Sequence, residues 1–309
     1  MTINKLFFDP HGRLRTGFRV AAFVAAFFAS AILLSVLTAL AANTLGAASR
    51  SDSVISNLIN YSPLIAAAVF GAWLCGKFFE RLPFRAFGTW FTKGWLRHAV
   101  VGFVIGCGAF AIAVVVAVIF GGLSFEVNAD AAAWSVLAAL GIFALGAAFE
   151  EVVFRGYILQ TFVRSGWVWL GILLTAVPFG IVHLGNPNAS VISTLNTVLA
   201  GIWFGLAYLK TRDLWFVWSA HTAWNWMQNS IFGIEVSGLN LTGSPLLREV
   251  DRGPEWLTGL NYGLEGGIGV MIALVAAIVI TQYAPFIKAD EEMLAMNSEP
   301  VADINPSVS

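Results

Sequence analysis

Apolar stretches alternate with short polar ones along almost the whole 309-residue chain. The first apolar stretch, about Val20 to Ala42, is longer than the roughly 7–15-residue core of a signal peptide, which predicts an uncleaved membrane span. Further spans are predicted over about Tyr61–Cys75, Ala99–Phe120, Ala131–Arg164, Trp167–Leu184, Ser190–Tyr208, Leu214–Ile231 and Tyr262–Tyr283. Pro178-Phe179-Gly180 is expected to break the fifth. Gly102/Gly106 and Gly201/Gly205 have the four-residue spacing that lets helix backbones approach closely. Residues 43–60, 121–130 and 233–261 read as loops, the last being the longest.

Composition agrees with this pattern. The chain is 58% hydrophobic and 11% charged, against roughly 25% charged in soluble domains, so it cannot cover a globule with polar surface. The expected fold is an all-α, polytopic membrane bundle of about eight helices. It divides into a basic N-terminus (1–19), N-terminal spans (20–125), a central core (130–231), an outer loop with the last span (232–287) and a disordered acidic tail (288–309). Cys75 and Cys107 lie in apolar stretches and read as small hydrophobes.

The net charge of -1 says little, but the placement of charge says more. With the N-terminus inside, the predicted inner segments hold 14 of the 17 lysines and arginines, leaving Arg50, Arg248 and Arg252 outside. Such a bias places both termini in the cytoplasm of a multi-pass protein in the cell membrane. No nucleic-acid partner is expected.

One stretch breaks the apolar rule. In Ala147-Ala148-Phe149-Glu150-Glu151-Val152-Val153-Phe154-Arg155 two carboxylates and a cation fall inside the fourth span. A charge at mid-bilayer costs about 2.5–3.5 kcal/mol even on lenient scales, so the group needs a reason. Glu151 and Arg155, four apart on a helix, are placed to pair. That leaves Glu150, turned about 100° away, with no local partner, and an unpaired intramembrane carboxylate is a functional-site candidate. His183 and His221 also fall inside spans, and Asn225 shares a helix face with His221. At about 1.5 Å per residue these residues lie within the bilayer core, where three helices can bring them together. His11 and His98, at the membrane edges, receive no role.

Together E-E-V-V-F-R at 150–155, F-G-I-V-H at 179–183 and H-T-A-W-N at 221–225 resemble the three motifs of the CAAX-prenyl proteases of the Rce1-like type and bacteriocin-processing enzymes (the CPBP or Abi family), in order and spacing. The resemblance covers roughly residues 130–231 and implies peptide-bond hydrolysis within the membrane, acting on a membrane-associated peptide or protein. By analogy Glu150 is the general base, His183 helps to hold the water, and His221 with Asn225 stabilises the oxyanion. Glu151 with Arg155 reads as a structural pair that orients Glu150. A rival scheme uses Glu150, His183 and His221 as zinc ligands, since one Glu and two His match a catalytic zinc set. The metal-free scheme is preferred and requires no cofactor. Other readings are a proton- or ion-coupled transporter and an inactive scaffold of the same fold. The transporter is disfavoured because spans one to three hold no polar set matching that of spans four, five and seven.

The charge bias makes a direct prediction about topology. Cysteines introduced in 233–261 should react with impermeant reagent from outside the cell and those in the C-terminal tail only after permeabilisation. Labelling of both from one side would overturn the assignment.

Overall fold

Long runs of Ala, Val, Leu and Phe form helices here because a helix satisfies its own N–H and C=O groups, as a bilayer requires. The computed structural model describes residues 7–9, 12–44, 53–241 and 244–297, so Lys5, His11, Arg50 and the tail acids Glu299 and Asp303 lie outside the described residues. The main helices are α1 (Thr16–Thr44), α2 (Ser53–Cys75, extended by a wide π turn Gly76–Glu80), α3 (Trp95–Ile119), α4 (Ala133–Arg164), α5 (Val168–Val182), α6 (Val191–Thr211), α7 (Leu214–Trp226, extended by a π turn Met227–Ile231) and α8 (Gly269–Tyr283). The architecture is an all-α membrane bundle.

Among the described residues, α1 to α6 are long and apolar enough to cross a bilayer, so the expected count of eight spans is not confirmed by this measure. The other two fall short for different reasons. α7 carries His221, Asn225, Gln228 and Asn229, which lower its hydropathy. α8 begins at Gly269 rather than Tyr262, because residues 259–268 wind through short turns with positive φ at Gly259 and Gly263. Its 15 residues span only about 22 Å, against a hydrocarbon core of about 30 Å. Pro178 does not break the fifth helix. α5 runs through it and loosens only at His183–Gly185.

The bundle is organised around α7, which packs between α3 and α4 and against α6. Two glycines set the α3–α7 distance. A Cβ on Gly102 would lie 2.2 Å from Phe216 O, and one on Gly106 would lie 2.2 Å from Ala220 O. Any side chain at Gly106 would therefore push on the backbone next to His221. Gly201 does the same for α5 and α6, with its virtual Cβ 2.8 Å from Ala176 Cα. On the other side of α7, Trp218 and Trp226 donate to Ala144 O (2.6 Å) and Val136 O (2.8 Å) of α4. These indoles join helices, whereas Trp215 lies against Phe91 and Trp95 at the helix start.

Polar residues at the two ends of the bundle differ from expectation. Arg19, read as part of a basic lead-in, is buried and paired with Glu80, which also lies near Thr161. His98 is buried too: its Nδ1 is 2.7 Å from Asp213 Oδ2 and its Nε2 is 3.1 Å from Lys288 O, which ties α3 to the α6–α7 turn and the C-terminal segment. Part of the tail read as disordered is ordered, since Glu291–Asn297 is a short helix with Met293 buried. At the opposite end an unforeseen ribbon pairs β1 (Leu123–Val127) with β2 (Leu247–Asp251), antiparallel, with Phe125 opposite Glu249.

Candidate functional site

The Glu-Glu-Arg stretch lies where α4 widens from an α-helix into a π-helical segment, Val152–Leu159. Such widened turns commonly mark functional sites. Glu151 and Arg155 are 1% and 0% exposed and paired, with Nη1 2.9 Å from Oε1. Arg155 also donates to Gly201 O of α6 (3.1 Å). The guanidinium lies over the rings of Phe179 (4.6 Å) and Phe204 (5.3 Å). Stacking on aromatic faces suits a cation that has left water.

Glu151 does more than pair with Arg155. The same Oε1 is 2.9 Å from His221 Nδ1. A carboxylate oxygen accepts, so the His221 proton on this side sits at Nδ1 and Nε2 is left to face the site. Phe204 stacks on the imidazole at 4.9 Å and 23°, so the ring is held in plane as well as by its hydrogen bond. Glu151 therefore orients His221. The sequence reading paired Glu151 with Arg155 alone, and its bond to His221 is an addition to that reading.

Glu150 is the carboxylate left over. Its Oε2 is buried with no hydrogen-bond partner and lies 3.9 Å from His221 Nε2, beyond direct hydrogen bonding. His183 is set differently. Its Nδ1 is 2.6 Å from Phe179 O, one turn back on α5. A carbonyl only accepts, so Nδ1 carries the hydrogen, and in the neutral ring Nε2 is an acceptor. Phe179 packs against both imidazoles, 5.0 Å from His183 and 6.1 Å from His221.

Glu150, His183, His221 and Asn225 all line one cavity of about 240 Å³. The predicted residues thus converge, with Glu151 and Arg155 behind them. Tyr61 of α2, Asn196 of α6 and Glu265 in the turns before α8 are among the residues on this wall that were not foreseen. Glu265 accepts from Trp224 Nε1 (3.0 Å), Ser237 N (2.8 Å) and Ser237 Oγ (2.6 Å), which fastens the outer segment to α7. In the sequence, Glu265 has no motif around it.

Among the described residues no three His, Cys, Asp or Glu side chains gather closely enough to hold a metal ion. His221 Nδ1 and His183 Nδ1 are both engaged as described, which leaves the two Nε2 atoms open.

Comparisons with known proteins point to the same helices. Residues 132–227, from α4 through α7, match the family model described as Type II CAAX prenyl endopeptidase Rce1-like. The chain is similar to the uncharacterized protein YyaK of Bacillus subtilis (strain 168), at 27% identity over 205 residues, 61% of this chain. That match spans 65% of the relative's length. No solved structure matches.

The two glutamates should fail differently when substituted. Glu151→Gln leaves Arg155 buried without its counter-charge, a loss of about 3–5 kcal/mol in comparable buried pairs, and should sharply reduce the folded protein recovered from membranes. Glu150→Gln changes a carboxylate whose Oε2 accepts no hydrogen bond and should leave recovery near wild type. Equal depletion of the two variants, read by quantitative blotting, would refute this division.

Proposed function

We propose that this multi-pass membrane protein, whose residues 132–227 match an Rce1-like endopeptidase family, is an intramembrane endopeptidase that uses Glu150 to activate water. The observation that carries the reading is the unpartnered Glu150 oxygen facing His221 in a cavity that also holds His183 and Asn225. The substrate class is a membrane-embedded protein or peptide, reached within the lipid bilayer.

In this scheme water donates one hydrogen to Glu150 and the other to His183 Nε2, both acceptors, which leaves an oxygen lone pair for attack. As the water oxygen bonds to the scissile carbonyl carbon, its proton passes to Glu150. The carbonyl oxygen becomes an oxyanion and takes hydrogen bonds from Asn225 Nδ2 and from His221 when Nε2 is protonated. Collapse breaks the C–N bond, and Glu150 returns the proton to the leaving amine. Glu151 acts through His221, holding its ring at the angle the oxyanion requires. Preorganised donors of this kind need no reorientation during the reaction, which is the source of their effect. Each role is filled by a residue of this chain, and no step is routed through a metal. The basic bias of the predicted inner segments supports cytoplasmic termini.

Hydrolysis of a membrane-protein substrate by the purified protein should survive exhaustive chelation, with well under one equivalent of zinc by elemental analysis. Asn225→Ala should lower turnover by roughly 10²–10³, the usual effect of removing one oxyanion donor. Stoichiometric zinc, with activity lost on chelation and restored by zinc alone, would decide for the metal scheme.

A further inference from the structure

Asn196 lies on the face of α6 that lines the cavity, and it is 1% exposed. Its Nδ2 donates to Glu265 O and to Gly267 O, both at 2.8 Å. Those two bonds use both amide hydrogens, so the orientation of the side-chain amide is fixed by its surroundings. The remaining atom, Oδ1, is buried and accepts no hydrogen bond. Buried polar atoms are nearly always paired, so an orphaned acceptor on a residue that lines the cavity points to a donor from outside the chain.

The neighbouring side chain narrows the chemistry of that donor. Both carboxylate oxygens of Glu265 already accept hydrogen bonds, and the group offers none of its own. No lysine or arginine is among the described residues that line the cavity. The wall beside Asn196 therefore presents acceptors. An acyl chain has no group to answer it, whereas a peptide main chain carries an N–H at every residue except proline.

Position along α6 supplies a register. Phe204, which stacks on His221, is eight residues from Asn196, roughly 12 Å along the helix. An extended peptide covers that distance in about three to four residues.

We propose that Asn196 is a substrate-binding residue whose Oδ1 accepts a main-chain N–H of the bound peptide about three to four residues from the scissile bond. This rests on the protease reading above. It gives the cavity two stations, one for chemistry at Glu150 and one that fixes the register of the chain being cut.

The test is an N-methyl scan, which removes main-chain N–H groups one at a time. The probe is a fluorescent nine-residue peptide of leucine, alanine and phenylalanine, blocked at both ends. Its affinity is measured on full-length Glu150→Gln protein in detergent, so that the peptide is not consumed, and on the Glu150→Gln/Asn196→Ala double variant. One N-methyl position should weaken binding to the first protein by about tenfold, the scale of one hydrogen bond. The same position should cost nothing in the double variant. A structural role for Asn196 alone would lower affinity for every peptide equally and leave the scan profile unchanged, and that result overturns the proposal. Failure of Glu150→Gln protein to bind any of the peptides would instead refute the protease reading, and the proposal with it.

Discussion

Glu151 Oε1 accepts from both Arg155 and His221, and much of the bundle's centre follows from that shared acceptor. Three ionisable groups buried at membrane depth are tolerable only if they satisfy one another, because desolvating each alone costs several kcal/mol. Here the cation is flanked by the Phe179 and Phe204 rings and bonded to Gly201 O, which requires α6 to lie close to α4. The imidazole reaches Glu151 only if α7 lies close as well, and Gly102 and Gly106 admit it by removing side chains from the α3 surface. Arg155 and Glu151 thus supply the polar centre, and the glycines supply the space around it. Glu150 Oε2 lies 3.9 Å from His221 Nε2, at the edge of this arrangement, and on the proposed reading it is the group left for chemistry.

How much of this was legible in the sequence depends on range. The apolar runs predicted the long helices because lipid imposes a strong and continuous pattern. The Glu151–Arg155 pair was legible because it is four residues apart on one helix. Gly102 and Gly106 were legible as close-approach positions, although nothing in the sequence named α7 as the partner. Specific pairings between distant segments were not readable, although the motifs marked Glu150, His183, His221 and Asn225 as residues that could meet. Glu151 with His221, Arg19 with Glu80 and His98 with Asp213 each join residues that only the packed bundle brings together. Leu123, Phe125 and Val127 do alternate with polar residues in the manner of a strand, but the partner strand lies 120 residues further on. Pro178 misled for a physical reason. A proline removes one hydrogen bond, and the helix around it retains enough others to continue.

The region matched by the Rce1-like family accounts for part of the cavity only. Glu150, His183, His221, Asn225 and Asn196 lie inside residues 132–227, whereas Tyr61, Ser237 and Glu265 lie outside them. The proposed chemistry is therefore housed in the matched helices, while other parts of the cavity wall come from segments outside the match. Glu265 is the link between the two. Its carboxylate holds Trp224 of α7 and Ser237 of the outer segment, and its backbone carbonyl holds Asn196. On the proposed reading, this is where differences in substrate among related proteins would be written.

On the proposed reading, Glu150 activates the water that cleaves membrane-embedded proteins. The most direct measurement compares the termini of membrane proteins in cells that carry the wild-type chain and in cells that carry Glu150→Gln at equal abundance. The account predicts a small set of new termini, mapping within or next to transmembrane segments, present with the wild type and absent with the variant. Identical sets of termini in the two cell populations, with substrate-bearing membranes intact, would contradict it.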